Sequence, residues 1–107
     1  MMSTILMLVV AATLEVSGDA AIRNGLARSA ASWLLLGAAT LTAYGFVVNL
    51  DSTIDFGRLM GLYIVVFFLV SQLISFLFFG ERPPLSLIAG GALIVAGGIV
   101  IHLGRTH

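Results

Sequence analysis

Residues 2–22 read MSTILMLVVAATLEVSGDAAI, an unbroken run in which only Glu15 and Asp19 carry charge. About 20 mostly apolar residues are enough for a helix to cross the hydrocarbon core of a bilayer. Three runs of the same kind follow, at about 32–50, 57–79 and 85–103. Backbone N–H and C=O groups in lipid must be satisfied within their own segment, so these runs are expected to be helices. None alternates apolar and polar residues as a barrel strand does. The expectation is an all-α membrane protein, a single domain over 1–107 with four transmembrane helices at about 2–22, 32–50, 57–79 and 85–103.

Composition supports that class. The chain is 60% hydrophobic and 9% charged, whereas soluble domains carry roughly a quarter charged residues. Mean hydropathy is +1.14. The first run has no positively charged region ahead of it, so it is read as a span that stays in the protein rather than a cleaved signal peptide. There is no cysteine, which excludes disulfides and thiolate metal sites. Two histidines near the C-terminus do not suggest a metal site, and no basic tract suggests nucleic acid. No cofactor is expected. No nucleophile–base pair or phosphate loop is visible, so an enzyme is not expected either.

A carboxylate in mid-membrane is costly, and Glu15 therefore needs a reason. Its stripe of the first helix carries Thr4, Leu8, Ala11, Ala12, Gly18, Asp19 and Ile22, most of them small or polar. The opposite side carries Leu6, Val9, Val10 and Val16. One reading keeps Glu15 permanently neutral or paired with Arg58. The other makes it an exchange site. Burial disfavours its charged form, as does a second Glu15 from another copy, so the group takes up and releases a proton near neutral pH. Asp19 and Arg23 follow at four-residue intervals on the same face. Asp19 is read either as an ion pair with Arg23 that anchors the helix end, or as a second acid at the site.

The other spans supply fewer polar groups. Trp33 lies at the expected headgroup level, where Trp is common, and is read as an anchor or as an aromatic facing the site. Thr40 and Tyr44 lie deeper and are candidates to line a cavity; Asn49 is a candidate cap. In the third span Tyr63 needs a partner for its hydroxyl, while Gln72 and Ser75 are expected to hydrogen-bond between helices. Arg58 is expected to snorkel to the interface, or to turn toward Asp55 or an acidic ligand. The fourth span carries Gly90-Gly91 and Gly97-Gly98, seven residues apart and so on one side. Small residues let helices approach closely in lipid, and all four glycines are read as a dimer contact. His102 is read as an interfacial residue.

Positively charged loop residues set orientation. One side has Arg58 and Arg105, the other Arg23, Arg28 and Arg82, and there is no lysine. With so little bias the chain is expected to insert both ways, and an antiparallel dimer would then form an inverted repeat.

Several stretches are jointly familiar. These are Glu15-Val16-x-Gly18 followed by Arg23, Phe78-Phe79-Gly80-Glu81-Arg82 after the third span, and the glycine-rich fourth span. Together they resemble the small multidrug resistance family. Ser32-Trp33-Leu34-Leu35-Leu36 and Gly57-Arg58 followed by Tyr63 look most like its YnfA-like branch. The resemblance covers nearly the whole chain. It implies an antiparallel, dual-topology homodimer in the bacterial cytoplasmic membrane. It further implies proton-coupled export of small organic cations, such as quaternary ammonium or guanidinium-type compounds. It places the shared proton and substrate carboxylate on Glu15, the third-span aromatic on Tyr63, and dimer contact near Gly90 and Gly97. Two departures stand out. Better-known members carry Trp-Ser-Gly-x-Gly in the third span, whereas Tyr63-Ile64-Val65-Val66-Phe67 has no glycine. Asp19 also replaces an uncharged residue.

The expected partners are therefore protons, a small cation, membrane lipids and a second copy of the chain, with Glu15, Tyr63, Tyr44, Asp19 and Trp33 at the site. The alternatives are a carrier of lipid or lipid-linked head groups, a subunit of a heterodimeric complex, and a scaffold that transports nothing.

Overall fold

A computed structural model describes residues 2–50 and 53–104. Four helices follow one another: α1 (Met2–Arg28), α2 (Ala31–Val48), α3 (Phe56–Phe79) and α4 (Leu85–Leu103). No strand occurs among the described residues. Each helix is long and apolar enough to cross a membrane, with mean hydropathies of 1.8, 1.6, 2.5 and 2.1 in chain order. The protein is an all-α, multi-pass membrane protein. Arg105 and His107, the C-terminal groups relevant to orientation, lie outside the described residues, as does Asp51.

α4 begins and ends at the predicted residues, and α2 and α3 depart from prediction by two residues or fewer. α1 differs more. It continues through Arg23, Asn24 and Gly25 to Arg28, so the expected loop is two turns of helix. Arginine is a good helix former and can reach headgroups from a helix end. At 27 residues α1 is about 40 Å long, longer than a ~30 Å hydrocarbon core. Its last turns can therefore stand in the headgroup region. The connection to α2 is only Ser29 and Ala30. Ser29 adopts the left-handed conformation, with φ 52°, and the Ala30 N–H donates to the Gly25 carbonyl at 2.9 Å.

The chain divides into two compact units, Met1–Asp51 and Ser52–His107. Each is a helical hairpin. In the first, α1 and α2 meet through small residues. A Cβ on Gly37 would lie 2.9 Å from the Gly18 carbonyl oxygen and 2.5 Å from Ile22 Cγ1; one on Gly18 would lie 2.8 Å from Leu41, and one on Gly25 2.8 Å from Leu34. With no hydrophobic driving force between helices in lipid, such close approach is what holds them together. Large apolar side chains point outward at little cost in that solvent. Leu35 and Phe46 are 72% and 73% exposed.

In the second hairpin, α3 and α4 pack through Gly91 against Phe68, Gly98 against Val65, and Gly61 against Ile101. A Cβ on Gly90 or Gly97 would meet nothing within 4 Å. The glycine pairs thus divide: Gly91 and Gly98 face α3 of the same chain, while Gly90 and Gly97 have space beside them.

The ends of these helices are tied down locally. Gly80 is left-handed (φ 66°), which turns the chain back toward the Ser75 carbonyl. The Glu81 N–H reaches the same carbonyl at 3.2 Å, and Ser75 Oγ donates to Glu81 Oε1 at 2.5 Å. Ser75 therefore serves the α3 terminus rather than bridging helices as expected. Asn49 is the α2 cap: its backbone N–H donates to Phe46 O at 3.3 Å, the Leu50 N–H donates to Val47 O at 3.2 Å, and Asn49 Nδ2 donates to Gly45 O at 2.8 Å.

Arg58 turns to the end of α4 rather than to Asp55. Its guanidinium donates to the Ile101 carbonyl at 3.0 Å and the Gly104 carbonyl at 3.4 Å, closing the C-terminus of α4. Those carbonyls have no helical partner, and a cation there also suits the helix dipole. In Arg58→Gln the last turn of α4 should lose about 1–3 kcal/mol of protection. Its amides should exchange with deuterium faster while the centre of α4 is unaffected. Unchanged exchange there would contradict this role.

Candidate functional site

Glu15 is the central residue of α1 and is half-buried. The hairpin register shows what lies beside it. Gly25 packs at Leu34, Ile22 at Gly37, and Gly18 at Leu41. Each step of three or four residues back along α1 is matched by three or four residues onward along α2. The next step pairs Glu15 with Tyr44, and the one after that pairs Ala11 with Val48. Ala11 is fully buried and Val48 2% exposed, as a continued seam requires. Glu15 and Tyr44 thus stand at the same level of one antiparallel seam, at positions that repeat like the a and d positions of a coiled coil. This pairing was not visible in sequence, because it depends on the two-residue turn.

The neighbourhood of Glu15 is small and dry. Ala11 and Ala12 are fully buried, Leu8 is 3% exposed and Val16 7%. On the side read as opposite Glu15, Leu6, Val9 and Val10 are exposed, whereas Val16 is buried.

Asp19 lies one turn beyond Glu15 and is exposed. Thr40, level with it on α2, donates its hydroxyl to the Leu36 carbonyl at 2.8 Å, as Thr13 and Thr42 do to Val9 and Ala38. These hydroxyls are satisfied within their own helix, the usual solution in lipid. Trp33 is 40% exposed and lies eleven residues before Tyr44, about 16 Å along α2. It belongs to the end of the hairpin near Ser29, not to the level of Glu15. Tyr63 is in the second hairpin and is 4% exposed. Its ring lies against Phe67 one turn on, with centroids 6.0 Å apart and tilted by 44°.

The register of the first hairpin therefore sets Glu15 level with Tyr44, with Asp19 one turn along α1 and Trp33 at the end of the hairpin near Ser29. A mid-membrane carboxylate beside a phenol can bind a proton or a small cation. The carboxylate supplies charge, and the aromatic ring supplies a face that attracts cations. Among the described residues, no three His, Asp or Glu side chains are grouped to hold a metal ion.

Comparison with known proteins agrees with the architecture. A family model described as "Uncharacterised BCR, YnfA/UPF0060 family" matches residues 1–106. The chain is 32% identical to a UPF0060 membrane protein of Mycobacterium marinum, over 97% of this chain and 96% of that one. It is 35% identical to a UPF0060 membrane protein of Frankia casuarinae over 95% and 94%, and 31% identical to one of Rhodococcus erythropolis over 95% of both chains. No solved structure matches the chain.

Proposed function

The chain belongs to the YnfA/UPF0060 family, and from that premise we propose that it is a proton-coupled antiporter of small organic cations, allied to the small multidrug resistance proteins. The observation that carries this reading is the position of Glu15, central in a membrane-spanning helix and level with Tyr44 on a seam of small residues. A carboxylate is not kept at that depth for packing. Glu15 holds a proton in one state and the cation in the other, so the two exclude each other. Tyr44 is its aromatic companion, and Asp19 is a second acid nearer the membrane edge. The protein is not an enzyme and takes no cofactor in this reading. A gradient of a quaternary ammonium or guanidinium compound across proteoliposomes then drives protons the other way. Absence of proton movement with the whole panel contradicts it.

The transporter is a dual-topology antiparallel homodimer, in which two copies supply the inverted repeat that one hairpin pair cannot. Gly90 and Gly97, with open space beside them, are the glycines of α4 that remain for contact with the second copy. A single cysteine introduced as Arg28→Cys, in a chain that has none, should label from both sides of the membrane in intact cells. Labelling from one side only would rule out dual topology. The head-group carrier reading uses Arg58 and the loop arginines for an anionic ligand, and of these the Arg58 guanidinium is engaged with the end of α4.

A further inference from the structure

The second hairpin carries an open groove of about 580 Å³. Phe68 and Gln72 of α3, Pro83 of the connection, and Leu87, Val95 and Ile99 of α4 line it. It exists because α4 presents Gly91, Ala92 and Ala96 where a larger residue would fill the hollow. We infer that this groove holds one acyl chain of a bound phospholipid whose phosphate meets Arg82.

Three observations favour that occupant. Gln72 is the one polar side chain of the lining, so the groove suits an apolar guest. From Leu87 to Ile99 it follows α4 for about 18 Å, close to half of a ~30 Å hydrocarbon core and hence to one leaflet. At the Pro83 end the preceding residue is Arg82, which is exposed. The neighbouring acid, Glu81, is drawn back onto Ser75. An exposed arginine next in the chain to the end of an apolar groove matches a molecule with an anionic head and an apolar tail, because arginine pairs with phosphate through two parallel hydrogen bonds. A second copy of the chain fits less well. The groove has eleven lining residues, whereas a stable protein interface uses roughly 20–30 a side.

The test uses the full chain in phosphatidylcholine vesicles containing a phosphatidylglycerol with a diazirine in its acyl chain. After irradiation, adducts are mapped by mass spectrometry. Adducts should concentrate on residues 87–99 relative to Leu35 and Phe46 of α2, although those two are 72% and 73% exposed. Arg82→Gln should lower groove labelling about fivefold, the loss of one arginine near a lipid surface. Ala96→Phe, which fills the groove from an exposed position, should lower it as well, with α2 labelling unchanged in both variants. Even labelling over all exposed faces, untouched by either variant, would overturn the inference. So would chain-to-chain crosslinking from a photoreactive residue at Ala92 in place of lipid adducts, since a second copy would then occupy the groove.

Discussion

Glu15→Gln reconstituted in proteoliposomes should lose cation-driven proton movement entirely, while folding and inserting as the natural chain does. Glutamine keeps the shape of the side chain, so the contacts of Ala11, Gly18 and Ile22 along the seam are undisturbed. What it removes is the group able to alternate between holding a proton and carrying a negative charge. Truncating one partner of a buried charge pair costs roughly 2–5 kcal/mol, so cation affinity should fall about thirtyfold or more as well. Glu15→Asp keeps the chemistry and withdraws it by one methylene, and is expected to retain exchange at a reduced rate. Asp19→Asn should leave exchange in place, because Asp19 is exposed where Glu15 is half-buried. Coupled exchange that survives in Glu15→Gln would remove the carboxylate from the mechanism.

The second large effect concerns the seam that presents Glu15. Gly37→Ala should destabilise the first hairpin by about 1–3 kcal/mol, the usual cost of overpacking. The added carbon would sit 2.9 Å from the Gly18 carbonyl oxygen and 3.1 Å from the Ile22 backbone nitrogen. Both are backbone atoms of α1, so relief requires α1 and α2 to move apart, and Tyr44 would be carried away from the level of Glu15. Gly45→Ala on the same helix meets nothing within 4 Å and should be neutral, or stabilising by up to about 1 kcal/mol through helix propensity. Unfolding in a denaturing detergent series would read both. Equal stability of the two variants would show that the close approach at Gly37 does not hold the hairpin together.

The four spans were legible because a chain segment that is apolar over some twenty residues is stable as a helix in lipid and costly to expose to water. α4 in particular is bounded by Pro83-Pro84 at one side and Gly104 at the other. The end of α1 was not legible. Arg23, Asn24, Gly25 and Arg28 look like a loop by composition, yet two arginines suit a helix that emerges into headgroups, and Gly25 is spent on close packing with Leu34. The same ambiguity hid the partner of Glu15, since a nine-residue loop fixes no register and a two-residue turn does. Adjacent glycines posed a different difficulty. Gly90 and Gly91 are about 100° apart on a helix, and only the neighbouring helix decides which of the two is buried. The partner of Ser75 was hidden because Glu81 lies beyond the apolar run, and only the left-handed turn at Gly80 folds Glu81 back onto it. Glu15 itself was legible from cost alone, as an acid in the middle of a membrane span.

Proton release on ligand binding tests that carboxylate most directly. The purified chain is placed in weakly buffered detergent at neutral pH, and quaternary ammonium and guanidinium compounds are added in turn. At least one should release protons from the natural chain and none from Glu15→Gln. Cation binding without proton release, or equal release from both proteins, would contradict the account.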